Sequence, residues 1–218
     1  MSRLAKSLLA LVLSPFCWGA SVGLMRVIKV CGAADRFWAA VLAGAACWIT
    51  CWLLLPKPMR LYVFGHELTH ALWTWLCGGR VKRFKASARG GHVVSNRGNF
   101  LVILAPYFFP VYAVALGLVY ALGHFLLGWT GSPPWLHLLL GAAYAFHVTF
   151  TLSVLQTRQS DIVSQGYLFS AVVIWLGNAL VPLVGVPMLT DQVRLLTALR
   201  WWMEATGEPF HVAIRLLS

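Results

Sequence analysis

Residues 59–77 read Met-Arg-Leu-Tyr-Val-Phe-Gly-His-Glu-Leu-Thr-His-Ala-Leu-Trp-Thr-Trp-Leu-Cys. This stretch is long enough to cross about 30 Å of hydrocarbon as a helix, yet two histidines and a glutamate lie in its middle. Hydrophobic residues make up 60% of the chain and charged residues 11%, against roughly 45–50% and 25% in globular proteins. We therefore predict an all-α polytopic membrane protein with about six transmembrane helices. The six apolar segments lie at about 5–25, 36–55, 59–77, 99–127, 134–156 and 161–184.

The basic residues of the chain lie mainly between these apolar segments. The formal net charge is +11, and the polar stretch 79–98 alone holds six of the 17 Lys and Arg residues. Basic residues in such loops fix the orientation of the helices and contact anionic lipid headgroups. We therefore expect the lipid bilayer, and no nucleic acid, as a partner. By the positive-inside rule, residues 79–98 should face the cytoplasm. The expected location of the protein is a bacterial inner (plasma) membrane.

The same polar stretch predicts a small β-hairpin at residues 79–98. Two β-prone pieces, Val81–Lys85 and His92–Ser95, flank Gly90-Gly91, a pattern typical of hairpins.

The C-terminal part of the chain has a different pattern. Thr190-Asp191 is a typical helix cap, and the apolar residues after it recur at helical spacing. The expected organisation is therefore N-terminal membrane helices in 1–57, a core with the motif in 58–184, and an interfacial amphipathic helix in 185–218.

The motif is His66-Glu67-Leu68-Thr69-His70. Residues i and i+4 of a helix lie on one face, so His66 and His70 can present two imidazoles to one metal ion. Glu67 can then hold a water molecule on that metal. This is the arrangement of zinc proteases, in which the histidines bind zinc and the glutamate is the general base.

The scarcity of acidic residues supports this interpretation. A carboxylate inside an apolar helix costs several kcal/mol unless it is paired or functional, and a neighbouring metal would explain Glu67. Between residues 36 and 190 the chain has one further acidic residue, Asp161. The six acidic residues are Asp35, Glu67, Asp161, Asp191, Glu204 and Glu208.

Catalytic zinc usually takes three protein ligands, so a third ligand is expected. Asp161 is the leading candidate, because the predicted topology places it on the same side of the membrane as the C-terminal end of the motif segment. The alternative for Asp161 is a helix N-cap, together with Ser160. His147, which lies between apolar neighbours, is the second candidate for the ligand.

These features resemble the site-2 protease family of intramembrane zinc metalloproteases. The resemblance covers roughly residues 58–184 and rests on the motif, on Gly91-His92-Val93-Val94, on the Pro-containing segment Asn99–Pro110 and on Asp161. It implies Zn²⁺ held by His66, His70 and Asp161, with Glu67 as the base. It also implies that the 81–95 hairpin is re-entrant, which means that it dips into the membrane and leaves on the same side. The edge of this small re-entrant β-hairpin, with Gly91, His92, Val93 and Val94, is then expected to bind an unwound transmembrane protein substrate.

The chain departs from the family pattern in two places. The family commonly has glycine at the position of Thr69, and its third ligand usually lies in Leu-Asp-Gly, whereas Asp161 lies in Gln-Ser-Asp-Ile. We therefore expect a divergent, short member without an extramembrane peptide-binding domain. Two other readings stay open: a non-enzymatic membrane protein that binds a metal or a partner, and another zinc-dependent membrane hydrolase.

Overall fold

A computed structural model describes residues 2–129, 133–190 and 192–217, which are mostly helical. The elements in chain order are α1 (Arg3–Cys31), α2 (Asp35–Leu54), α3 (Met59–Leu76), β1 (Val81–Ser87), β2 (Gly90–Ser95), α4 (Phe100–Leu104) with a 3₁₀ turn (Ala105–Tyr107), α5 (Val111–Leu127), α6 (Pro134–Leu155), α7 (Ser160–Gln165), α8 (Tyr167–Leu189) and α9 (Leu195–Leu217). They form two compact units, one made of residues 36–159 and the other of the described residues before 36 and after 159.

In the unit without the motif, α1 packs along both α8 and α9. The helix continues through Pro15 to Cys31, beyond the predicted end of its apolar segment. Gly23 lets the backbone of α9 approach, because a Cβ there would lie 3.1 Å from the Trp202 nitrogen. An ion pair of 3.0 Å joins Arg26 to Glu208 of α9. The glycine and the ion pair together hold α1 against α9.

Two predictions about this unit have a structural outcome. The predicted segment 161–184 consists of two helices, because Gly166 has a φ of +91° between α7 and α8. The predicted C-terminal helix is confirmed as α9, and its location in the membrane interface stays a prediction. Asp191, the second residue of the predicted cap, lies outside the described residues.

In the unit of residues 36–159, α2 and α6 pack closely at two glycines. A Cβ on Gly44 would collide with the Leu138 carbonyl, and one on Gly141 with the Val41 carbonyl. The Trp48 indole of α2 donates a hydrogen bond of 2.9 Å to the Thr149 hydroxyl of α6. The small residues therefore allow backbone contact, as is usual between membrane helices.

The number of helices that can span a membrane is smaller than predicted. Among the described residues, four helices are long and apolar enough, namely α1, α2, α6 and α8. The segment 99–127 counts as a fifth span if its two halves, which meet at an angle of 89°, are taken together. The bend follows from Pro106 and Pro110, which remove backbone donors. The count of six is not confirmed, because the polar side chains of α3 lower its hydropathy.

The predicted hairpin is present as the antiparallel strands β1 and β2. Its turn is at Ala88-Arg89, and Gly90 and Gly91 belong to β2, so the strands extend further than predicted. Both strands pack on α3, where the rings of Phe64 and Phe84 meet edge to face. The insertion of the hairpin into the membrane stays a prediction, as does the division of the chain into 1–57, 58–184 and 185–218.

Candidate metal centre

The two histidines of the motif lie on one face of α3. Their ring centroids are 4.9 Å apart and their planes are nearly perpendicular. Both side chains are half-buried, and Glu67 between them is only 7% exposed. The one-turn spacing therefore places two imidazoles and one carboxylate together, as the sequence predicts.

A backbone carbonyl fixes the protonation of His70. Its Nδ1 lies 2.8 Å from the Val102 carbonyl oxygen, which can only accept a hydrogen bond, so Nδ1 must carry the proton. Nε2 is then the unprotonated nitrogen, which is the form of imidazole nitrogen that binds metals, and such a bond from Nδ1 to a carbonyl is typical of histidine ligands. The chemistry of this donor fits Zn²⁺.

Local sequence explains why the Val102 carbonyl can accept from His70. In a regular α-helix this carbonyl would accept from the N–H of residue 106, but residue 106 is proline, which has none. Asn99 caps α4 and accepts a hydrogen bond of 2.9 Å from the Val102 N–H. Asn99 and Pro106 thus leave the Val102 carbonyl available to accept the hydrogen bond from His70.

His66 has a side-chain partner on its own helix. The Tyr62 hydroxyl lies 3.3 Å from His66 Nδ1, one turn earlier in α3. The Tyr62 ring stacks on Phe150 of α6, with centroids 4.5 Å apart and an angle of 7°. Packing against α6 therefore limits the orientations available to the Tyr62 and His66 pair.

The hairpin contacts Glu67 directly. A Cβ added to Gly91 would lie 2.6 Å from Glu67 Cγ, 2.9 Å from Glu67 Oε1 and 2.6 Å from the Lys85 carbonyl oxygen. Ordinary van der Waals contact begins at 3.4 Å. The close approach of β2 to the carboxylate therefore requires glycine at position 91.

The departure at Thr69 is accommodated within the helix. Its side chain is 1% exposed, and its hydroxyl donates a hydrogen bond of 2.8 Å to the Gly65 carbonyl one turn earlier. Gly65 itself is covered by the ring of Tyr112, whose hydroxyl donates to the Leu61 carbonyl at 2.6 Å. Thr69 therefore needs no partner outside α3.

The four residues predicted to bind substrate lie in β2. Gly91 contacts Glu67 as described, His92 and Val94 are exposed, and Val93 is half-buried. Among the described residues the sheet has two strands, so β2 has an outer edge without a strand partner. Its role in substrate binding stays a prediction.

The third ligand is not found beside the two histidines within residues 36–159. No three described His, Cys, Asp or Glu side chains of this unit bring donor atoms within 4.8 Å of one another. His147 and His66 both line a small cavity of about 20 Å³, but His147 does not complete a three-donor group there. Asp161 belongs to the other unit, inside the first turn of α7, and its role as a ligand stays a prediction.

Sequence reasoning missed the residues that orient the histidines. Tyr62 could have been found, because it precedes His66 by one helical turn. The proline four residues after Val102 was a second available signal. The contact between Gly91 and Glu67 had no local signal, because it depends on how the hairpin folds back on α3.

The unit that holds the motif resembles a known protein family. The chain matches the model of the family described as Peptidase M50B-like over residues 37–158. This range is more than half of the chain and nearly coincides with the unit of residues 36–159; it ends before Asp161. No curated protein and no solved structure gives a significant match.

Proposed function

Because the chain belongs to the Peptidase M50B-like family, and thereby to the site-2 proteases, we propose that it is an intramembrane zinc metalloprotease that hydrolyses peptide bonds of transmembrane proteins. The family and the apolar helices also make it an integral membrane protein. The observation that carries the proposal is Glu67, a buried carboxylate between two half-buried imidazoles inside an apolar helix. A glutamate set between two histidines that can share one metal ion is the arrangement in which zinc proteases place their general base.

The proposed ligands are His66, His70 and Asp161. His70 offers Nε2, since its Nδ1 proton is committed to the Val102 carbonyl. Residues 36–159 supply no third donor beside the two histidines, which favours a ligand from outside that range. Asp161 and Glu67 are the two acidic residues between 36 and 190, and carboxylates are regular third ligands of catalytic zinc.

In the proposed reaction Glu67 is the general base. Bound Zn²⁺ supplies Lewis-acid polarisation of the scissile carbonyl and of the attacking water. Glu67 takes a proton from that water and passes it to the leaving amine. Gly91 keeps β2 in contact with the Glu67 carboxylate, so the free edge of this strand is the proposed site at which Gly91, His92, Val93 and Val94 bind the unwound substrate.

We further propose that the active site faces the cytoplasm from a bacterial inner membrane. Residues 79–98 include the hairpin and carry six basic residues, which support this orientation by the positive-inside rule. The chain has five free cysteines, of which Cys47 and Cys51 are exposed, so all five are first replaced by serine. A single cysteine at the exposed position of Arg89 should then react with a membrane-impermeant thiol reagent in inside-out vesicles and stay unlabelled in intact cells.

The decisive experiment is Glu67→Gln, which keeps the size of the side chain but removes the base. This variant should retain one zinc per chain and lose at least about 10³-fold of the cleavage rate on a transmembrane reporter, since it removes general-base catalysis. Glu67→Asp is the matched variant, because it keeps a carboxylate in a displaced position, and it should retain measurable cleavage.

Other outcomes would point to other functions. Normal cleavage by Glu67→Gln would refute the mechanism. Stoichiometric zinc without cleavage of any transmembrane reporter by the unmodified protein would favour a non-enzymatic metal-binding protein. Hydrolysis of a lipid instead of a peptide would favour another zinc-dependent membrane hydrolase.

A further inference from the structure

A large, positively charged groove opens beside the candidate metal centre. It lies between the start of α3 and the turn of the hairpin and has a volume of about 1060 Å³. Arg60, Lys85, Arg89 and His92 line it together with the exposed ring of Phe64, and no carboxylate is among its lining residues. Within the described part of the chain, none of the three Lys and Arg residues has an ion-pair partner. The groove therefore presents three positive charges that nothing in the described chain neutralises.

This groove borders the candidate active site at one residue. Gly91 lines the groove and is also the residue that contacts Glu67. Along α3, Arg60, Phe64 and Glu67 follow one another at spacings of four and three residues, which keeps them on one face of the helix. Two helical turns at 1.5 Å per residue separate Arg60 from Glu67 by about 10 Å along the axis.

We propose that this groove binds an acidic segment of the transmembrane substrate and makes the enzyme select for it; the inference rests on the proposed function. An extended peptide advances about 3.3 Å per residue, so a segment with its scissile bond at Glu67 reaches Arg60 after about three residues. The preferred substrate carries Asp or Glu at that position. Its backbone runs past Gly91, and Phe64 contacts its apolar side chains.

The size of the groove and its border with the active site at Gly91 favour a peptide over an anionic lipid headgroup. A phosphate needs one cluster of donors, whereas this groove is as large as a typical ligand cleft, at or above the usual range of about 300–1,000 Å³. It also includes Gly91, which lies against the carboxylate that would act on a peptide bond. A lipid bound through its phosphate at the basic end would have no reason to extend to Glu67.

The test uses the full chain in nanodiscs of zwitterionic phosphatidylcholine. A transmembrane reporter is first cleaved and its cleavage site mapped by mass spectrometry. Asp, or Asn as the neutral match, is then placed two to four residues from the scissile bond on either side. On one side of the scissile bond, the unmodified protein at low salt should cleave the Asp reporter with a kcat/KM about tenfold higher than the Asn reporter. This ratio should fall towards unity in high salt, which screens the charges.

Variants assign this preference to the groove. Arg60→Gln and Arg89→Gln should each lower the Asp preference by about threefold, which is within the range of single exposed charge pairs. Lys82→Gln is the matched control, because Lys82 is a basic residue of the same hairpin that does not line the groove, and it should keep the preference. Arg60→Glu should reverse the preference towards a reporter with Lys at the same position.

The outcomes separate this inference from the proposed function. Cleavage with no difference between Asp and Asn, or an equal loss in Lys82→Gln and Arg60→Gln, would overturn the groove and leave the protease intact. The cleavage rate is also measured in nanodiscs that contain anionic phosphatidylglycerol. If the arginine variants lose only a stimulation of cleavage by this lipid, the groove is a lipid site and the inference is wrong. Binding of the two reporters to the Glu67→Gln variant can be measured by fluorescence anisotropy. If the Asp reporter binds more tightly than the Asn reporter, the result supports the groove even if no cleavage occurs.

Discussion

The substitution Gly91→Ala tests whether the hairpin sets the position of Glu67. The added Cβ would lie 2.6 Å from Glu67 Cγ, so the two atoms must separate by about 0.8 Å to reach the 3.4 Å at which ordinary contact begins. The strand cannot simply move away, because the same Cβ would lie 2.6 Å from the Lys85 carbonyl in the paired strand. The Glu67 carboxylate therefore has to move.

The expected effect is a loss of rate with retention of the metal. A displacement of about 1 Å in an active site can cost about 10²-fold in rate, so kcat for a transmembrane reporter should fall by about that factor. Overpacking should cost about 1–3 kcal/mol of stability. Zinc should stay stoichiometric, because the three atoms nearest to the added Cβ belong to Glu67 and Lys85 and not to the proposed ligands His66 and His70.

Gly98→Ala is the matched control for this substitution. Gly98 follows the same hairpin, and a Cβ there would have no neighbour within 4 Å. Both variants should be compared by the rate of reporter cleavage, zinc content and thermal unfolding in the same detergent. If Gly91→Ala cleaves within threefold of the unmodified protein and stays folded, the argument that the hairpin positions Glu67 is wrong.

Three further predictions concern the metal and the helix packing. Asp161→Ala should lose stoichiometric zinc by mass spectrometry of the metal while His147→Ala keeps it, and full zinc in the first variant would remove Asp161 from the site. Asn99→Ala should weaken zinc binding at least about tenfold in competition with a chelator, because the cap that presents the Val102 carbonyl is lost. Asn99→Asp, which keeps the cap acceptor, should bind as the unmodified protein does, and equal affinities of both variants would contradict the argument. Gly44→Ala should lower the unfolding temperature in detergent, because α2 must separate from α6. Gly117→Ala is the control and should change this temperature little, because a Cβ there has no neighbour within 4 Å. Similar unfolding temperatures of the two variants would contradict the argument that Gly44 is needed for this packing.

The sequence predicted the parts of the molecule that depend on local patterns. The hairpin followed from β-prone residues around glycines, and the motif helix α3 followed from its apolar residues. The family was also recognised from the sequence, on the His66–His70 motif, and the family match confirms it. For the hairpin and for α3 the information lies in the residues of the element itself, whereas the resemblance to the family also drew on residues as distant as Asp161.

The sequence failed where backbone geometry or distant contacts decide. The breaks at Gly166 and between Tyr107 and Val111 turned two predicted spans into pairs of helices. The approach of Gly91 to Glu67 joins residues that are far apart in the chain, and no local pattern encodes it. The role of Asp161 also depends on distant parts of the chain, and it stays a prediction.

Pro106 lowers the stability of its helix but leaves the Val102 carbonyl available to His70. Pro106→Ala would supply the missing N–H, so α4 could close the regular hydrogen bond to Val102 and gain helical stability. That same carbonyl would then be shared with His70, whose tautomer depends on it. A stabilising substitution chosen by helix propensity alone would therefore weaken the proposed zinc ligand, which is the usual conflict between stability and activity.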